Sequence, residues 1–561
     1  MSQLETRQFD AIQLGILWSK MRAIADEAAA NVVKTAVSTS VGISQDFACS
    51  ILDARGRLLA CGVPSVAQFS ALLPRTMRMV LERFPVEDWE PGDVVLTTDP
   101  WVSAGHAYDL VLVSPAFADD RLVAFTVSLA HTADIGGTLA LSGSKDMFEE
   151  GLILPLLKIY KAGQLNEDVL EVLKANIRVP DVMMGDFHAM TAANELAARR
   201  LVEVLREYGM PDYVELTDQI EAYSERAVRA AIAKLPDGNY PFELDIDGIK
   251  RPVHLAVTVT VRGDELTVDF TGSDEQRPDE ALNAVLNFTF SETVTAVQSV
   301  LTPNVSFNEG FLRAVEVVAP EGSVYNCTKP VPVKNRDKVV AHIETLIFGA
   351  LHPILPDKVL ATSGGINVTV ANGIDSTTGR VFNTYVSQGG GTGAGLGYDG
   401  VNCLHFPWGS RSIPVEMVES RSPLLVKSKR ITPDSGGAGK FRGGCGQETV
   451  ITTLPEQRRS VALALYSDHI RFAPEGLAGG EPGQPGDYLL DGEALGADHE
   501  AVVNSFIYLE PDSELTVRLP GGGGYGDPAE RDPEAIEADL RAGFVTPDGV
   551  RRSYVRNQGR Q

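Results

Sequence analysis

At 561 residues the chain exceeds what one hydrophobic core normally supports, so two to four interlocked domains are expected. Its 44% hydrophobic and 22% charged content is that of an ordinary soluble protein, and the net charge of −26 repels nucleic acid and anionic lipid, leaving neither as an expected partner. Five scattered cysteines (Cys49, Cys61, Cys327, Cys403, Cys445) without a C-x-x-C pair argue against a disulfide framework or thiolate zinc site, and a polar start with no membrane-length apolar run makes a cytoplasmic protein the economical expectation.

Residues 10–36 place Ile12, Leu14, Leu17, Met21, Ile24, Ala28, Val32 and Val33 at helical spacing, with Asp10 able to cap the start. The runs 47–52 and 57–60 flank Asp53-Ala54-Arg55-Gly56, which reads as a hairpin. A second helix is predicted over 70–84, and Pro91-Gly92-Asp93 introduces a short strand at 94–97.

The stretch 97–137 carries the candidate chemistry. His106 and Asp109 stand three apart, and His131 and Asp134 repeat that spacing after the apolar run Leu110-Val111-Leu112-Val113, the polar turn Asp119-Asp120-Arg121 and a second apolar run. The pattern predicts two strands joined by a turn, which brings their outer ends together. Two neutral imidazoles and one or two carboxylates there suit a divalent cation such as Zn²⁺, Mn²⁺ or Fe²⁺. The residues alone leave open the alternative that these are strand-end histidines bonded only to backbone.

Helices follow at 166–176, 184–206 and 213–234, with Asp186 near the start of the second, read as interacting with the helix dipole. From Asp237 strands dominate, at 253–261 and 266–270 around the turn Arg262-Gly263-Asp264. Helices are expected at 289–301 and at 336–350, the latter carrying His342 on its face. The last third is punctuated by glycine runs, including 389–395, 436–444 and 521–524. None fits a P-loop or a Rossmann fingerprint that opens a helix, so turns, tight backbone packing and site-lining loops are preferred to nucleotide binding. A capped helix at 532–543 precedes a charged tail expected to be mobile. The fold class is therefore α+β, a multi-segment mixed α/β chain: a helix-rich N-terminal domain with the β-hairpin site (1–235), a central β-rich domain (236–375) and a Gly-rich C-terminal β domain (376–561).

Taken together, these segments resemble the hydantoinase B/oxoprolinase family. The likeness rests on Thr97-Thr98-Asp99-Pro100-Trp101 with Gly105-His106 and Asp109, and on Ala130-His131-Thr132-Ala133-Asp134-Ile135-Gly136-Gly137. Glu150-Gly151, Asn176-Ile177-Arg178-Val179-Pro180, Gly185-Asp186, Asp269-Phe270-Thr271-Gly272-Ser273 and Asn308-Glu309-Gly310 follow in the family's order. The segments 434–444 and 520–528 are the most specific, and the resemblance spans nearly the whole chain.

The resemblance implies a B-type subunit that works with a separate A-type subunit carrying the ATP site, so ATP is expected to be used by the partner and not bound here. It also implies a divalent metal (Zn, Mn or Fe) on His106, Asp109 and His131. The implied reaction is hydrolysis of a hydantoin, lactam or 5-oxoproline-like cyclic amide: the partner phosphorylates the amide oxygen and this chain supplies metal-bound water. Asp134, and after it Asp99, are the candidates for general base or for orienting a ligand. An ATP-dependent ketone carboxylase of the acetone or acetophenone type is the alternative, and a non-catalytic scaffold subunit is the alternative of another class. Thr132 stands where the family has a second His, Thr98 replaces its Asn, and 63–70 lacks its usual His, so substrate preference is expected to differ from the hydantoin-cleaving members.

Overall fold

The computed structural model describes residues 8–64, 66–140, 142–466, 468–496 and 506–555. The first helix, Ala11–Thr35, starts as the sequence predicts: Asp10 Oδ1 accepts from the backbone N–H of Ile12 and Gln13, and the Gln13 side chain returns to Asp10. Strands β1 (Phe47–Asp53), β2 (Leu58–Cys61), β3 (Val94–Thr97), β4 (Asp109–Ala118), β5 (Arg121–His131), β6 (Leu157–Lys161) and β7 (Gln164–Leu165) form one antiparallel sheet, ordered β2-β1-β5-β4-β3-β6-β7. Because side chains alternate along a strand, Val111 and Val113 of β4 join one core while Leu110 and Leu112 join another. Both faces are covered, which is why the strand reads as an unbroken apolar run. Helices Ala11–Thr35 and Pro180–Tyr208 cover one face, and Ala67–Arg83 packs on the other.

A second sheet, ordered β11-β10-β9-β8, comprises β8 (Gly238–Ile246), β9 (Val253–Arg262), β10 (Glu265–Asp269) and β11 (Val315–Val318). Its inward side chains Val253, Leu255, Val257, Val259 and Val261 share a core with helices Leu286–Leu301 and Ile343–Leu351.

The C-terminal part contributes β12 (Ile366–Ile374), β13 (Val381–Gly389), β14 (Leu424–Ile431), β15 (Gln447–Thr453), β16 (Val461–Leu465), β17 (Asp487–Leu490), β18 (Glu493–Ala494), β19 (Phe506–Leu509) and β20 (Leu515–Arg518). They make two sheets, β13-β12-β16-β19 and β14-β15-β20-β17-β18, with one shared apolar core. The architecture is α+β, and the described strands form no closed barrel.

The glycine runs pack backbone against backbone. A Cβ on Gly522 would lie 2.0 Å from the Thr392 carbonyl oxygen, and the Gly522 N–H donates to Gly444 O at 2.9 Å. Gly391, Gly444 and Gly523 likewise donate to carbonyls of neighbouring segments, so these N–H groups are not turned toward a phosphate.

Three local expectations need correction. The stretch 336–350 is not one helix: Asp337–Val340 and Ile343–Leu351 are separate, and His342 sits at the junction with its ring bonded to Asp468. Asp186 does not serve its own helix dipole; its carboxylate accepts from the N–H groups of Val37 (2.7 Å) and Ser38 (3.0 Å). The segment after Gly543 is folded through residue 553: Thr546 caps helix Pro547–Ser553 and its hydroxyl donates to Asp434. Residues 556–561 of that tail lie outside the described residues. The five cysteines are free thiols, and among the described residues no helix is long and apolar enough to cross a membrane.

Candidate metal centre

Strands β4 and β5 pair so that Asp109 stands directly opposite His131. Directly opposed residues project to the same face, so the carboxylate and the imidazole meet at the end of the hairpin. His106 arrives from the turn that precedes β4, where Gly105 has a φ of +98°. A side chain there would meet Arg336 Cδ at 2.6 Å, so glycine both adopts the backbone conformation and leaves room for the guanidinium.

Three donor atoms converge. His106 Nε2 is 3.0 Å and His131 Nδ1 is 3.3 Å from Asp109 Oδ1, and the two ring nitrogens are 3.2 Å apart. All three side chains are buried. Arg336 completes the cluster, its Nη2 donating to Asp109 Oδ2 at 3.1 Å and its Nη1 lying 2.9 Å from His106 Nδ1. Lys334 presents its carbonyl oxygen to the same His106 Nδ1 at 3.1 Å. Tyr108 stacks on the His131 ring, and Tyr385 Oη lies 3.4 Å from His131 Nε2.

The charges follow from this packing. Burial alone would raise the Asp109 carboxyl, but His106 and Arg336 hold it well below the usual carboxylate range. Burial, helped by the Arg336 charge, lowers His106. For His131 burial acts in the same direction, yet the hydrogen bond to Asp109 and the charge of Asp46 win and raise it.

His106, His131, Tyr108, Arg336 and Tyr385 line a cavity of about 100 Å³. Asp46, Lys334, Arg336 and Asp337 line its polar side, and Ile366, Val368, Val370, Phe288 and Trp408 its apolar side. The cavity therefore lies between the hairpin and the C-terminal sheet of β12 and β13.

The sequence profile described as hydantoinase B/oxoprolinase matches residues 10–528. The chain belongs to that family. Members similar to it include the beta subunit of the caprolactamase of Pseudomonas jessenii, 28% identical over 97% of this chain and 96% of that one. A Pseudomonas sp. (strain NS671) protein, provisionally named as the B component of a D-/L-hydantoinase, is 29% identical over 99% and 96%. The 5-oxoprolinase of Dictyostelium discoideum is 26% identical over 94% of this chain, which matches 41% of its length. The crystal structure of ATP-dependent caprolactamase from P. jessenii superposes with a TM-score of 0.86 at 25% identity, covering 99% of this chain and 98% of that one. Nucleotide-free acetone carboxylase has a TM-score of 0.87 at 19% identity, over 99% and 80%, which is a likeness of fold.

Within this family architecture the other two expected site residues lie apart from the cluster. Asp134 is fully buried, but Arg178 Nη1 and the Gly136 N–H donate to its Oδ1 and the Arg178 N–H to its Oδ2. It holds the loop after β5. Asp99 accepts from the Trp101 N–H at 3.0 Å and from Lys329 Nζ at 2.8 Å.

Sequence reasoning missed Asp46, Lys334, Arg336 and Tyr385. Asp46 directly precedes β1, and its carbonyl accepts from the His131 N–H at 3.0 Å, a contact set by the pairing of β1 with β5. Its carboxyl is pushed up to about 6, mainly by burial, with His131 opposing. Lys334 is lowered to about 8 by burial. Glu150 accepts from the N–H groups of Val333 and Lys334, both at 2.9 Å, and so fixes the segment that carries Lys334 and Arg336. The basic run Lys334-Asn335-Arg336-Asp337-Lys338 was the available signal.

Proposed function

We propose that the chain is the B-type subunit of an ATP-dependent cyclic-amide hydrolase, with His106, Asp109 and His131 holding a divalent ion. The observation that carries the reading is the convergence of the three donors beside a cavity that His106 and His131 line. Their separations of 3.0, 3.2 and 3.3 Å suit a tetrahedral sphere, whose edges are about 3.3 Å for bonds of about 2.0 Å. Two imidazoles and a carboxylate are a borderline donor set, in keeping with Zn²⁺, Mn²⁺ or Fe²⁺.

The His106 tautomer follows from this assignment. Protonated on Nδ1, the ring donates to the Lys334 carbonyl and turns the Nε2 lone pair to the centre. Protonated on Nε2, it donates to Asp109 and accepts from Arg336 instead. Ion binding selects the first tautomer.

A three-ligand ion supplies Lewis acidity and makes a water more acidic. The chain's own groups do the rest. Lys334 and Arg336 place positive charge where an amide activated by phosphorylation carries negative charge. Asp46, at the same cavity with a carboxyl near 6, takes the base role first expected of Asp134 and Asp99, accepting a proton from the nucleophilic water. Ile366, Val368, Val370 and Trp408 form an apolar wall that fits a ring and excludes bulk water. ATP is used by an A-type partner, in keeping with the names of the relatives as parts of larger complexes and the lack of a phosphate-binding motif here.

The test is the complex of this chain with its ATP-binding partner, given ATP and caprolactam, hydantoin or 5-oxoproline. Ring opening coupled to ADP release is expected. His106→Ala and His131→Ala should each lower it by about 100-fold or more with assembly intact. Full turnover by the double variant would restore the scaffold reading, and consumption of a ketone with bicarbonate in place of a lactam would make the complex a carboxylase.

A further inference from the structure

A second His-Asp-His cluster lies apart from the first cavity, where the central segment meets the C-terminal sandwich. His342 precedes helix Ile343–Leu351, and Asp468 and His469 lie just beyond β16. The three side chains are buried, and their donor atoms all lie within 4.8 Å of one another. With Glu344 and Ser363 they line a cavity of about 20 Å³. One water-sized occupant requires about 10–15 Å³, so the space takes a single small guest.

Ring orientation fits a cation. His469 Nδ1 lies 2.9 Å from the Phe472 carbonyl oxygen, so Nδ1 carries the proton and Nε2 keeps its lone pair, the arrangement that backbone carbonyls impose on ligating histidines. His469 is held in this position with a φ of +53°. His342 Nε2 is 3.0 Å from Asp468 Oδ2, while Lys338 Nζ stands 3.8 Å from the other oxygen, Oδ1, and leaves Oδ2 to the histidine side.

We propose that His342, Asp468 and His469 form a second divalent-cation site, of the borderline transition-metal class that two imidazoles and a carboxylate favour, and that the ion ties residues 342–344 to the loop after β16. Glu344 lines the same cavity. The role is structural, since none of the three lines the larger cavity.

The test uses the full chain loaded with Zn²⁺, dialysed and analysed for metal. Two ions per chain are expected, falling to one in His106→Ala/His131→Ala and to one in His342→Gln/His469→Gln. The His106→Ala/His131→Ala variant should also lose thermal stability on chelation. A zinc content that is unchanged by the His342→Gln/His469→Gln substitutions overturns the proposal. Anomalous scattering at the zinc edge from wild-type crystals needs no variant: a peak between His342, Asp468 and His469 supports the site. A peak at His106 alone means that the small cavity holds water and overturns it, while leaving the first assignment intact.

Discussion

Replacing Asp109 by Asn probes the charge balance at the centre of the site. Asp109 is fully buried, its Oδ1 faces both imidazoles, and its Oδ2 accepts from Arg336, whose side chain is only 3% exposed. Asn preserves size and one acceptor but leaves the guanidinium without its buried carboxylate. Breaking such a pair from one side costs about 3–5 kcal/mol. Asp337 Oδ2 lies 3.4 Å from Arg336 Nη1 and is partly exposed, which places the loss at the lower end, about 3 kcal/mol. For a chain of this size unfolding as one unit, that is a Tm decrease of roughly 2–3 °C. The assay is calorimetry of the chelated protein, wild type against Asp109→Asn, Arg336→Met and the double variant. The double variant should recover most of the loss, because no orphan charge remains. His106 and Arg336 hold the folded Asp109 carboxyl below its unfolded value, so its contribution is present above about pH 4 and lost as pH falls through the folded value. The Asp109→Asn penalty should therefore shrink in acid. Strict additivity of the two single substitutions, with no pH dependence, would refute the reasoning.

Other consequences are equally direct. Burial pushes the Glu292 carboxyl up to about 8 while Trp408 Nε1 donates to it at 2.8 Å. A folded value raised above the unfolded one gives a contribution complete below about pH 4.5 and lost as pH rises through 8, so Glu292→Gln should be more stable than wild type at pH 8 by about 4 kcal/mol and should flatten the pH profile; identical slopes in melts at pH 5 and pH 8 would contradict this. Gly105→Ala forces a side chain against Arg336 at a φ of +98°, costing about 1–3 kcal/mol and displacing the guanidinium from His106 and Asp109; normal turnover with a normal melt would show that this placement is dispensable. Gly522→Ala sets a Cβ 2.0 Å from the Thr392 carbonyl, a backbone atom that cannot swing aside, so limited proteolysis should reveal an open C-terminal region. A wild-type digestion pattern would exclude that close packing.

The element pattern was largely legible because it rests on local chemistry. Asp10 caps its helix, and the strands around Asp119-Asp120-Arg121 pair as an antiparallel hairpin. Where the local pattern misleads, a distant partner decides the outcome. His342 looks like part of one helix, but the helix breaks there and its ring meets Asp468, which is 126 positions away. Asp134 stands three residues past His131, yet β5 ends at His131, and the left-handed Gly136 and Gly137 turn the loop, leaving Asp134 with Arg178. Side chains alternate along a strand, so even a continued β5 would have pointed Asp134 to the face opposite His131.

What the sequence by itself determined is the hairpin that carries Asp109 and His131, with His106 just before it; the family resemblance, not the spacing, set these three apart from Asp134 as the expected triad. A hairpin is a short-range structure, and its pairing alone carries Asp109 opposite His131. The surroundings of that triad were decided only by the tertiary structure. Arg336 lies 227 positions from Asp109 and Tyr385 lies 254 from His131, brought in by packing of the central and C-terminal segments onto the hairpin. Such contacts leave no periodic trace in the chain. They are selected by the joint burial of separate apolar faces, so the hairpin and its candidate ligands could be read from local pattern and resemblance while the charged groups and the apolar wall around them could not.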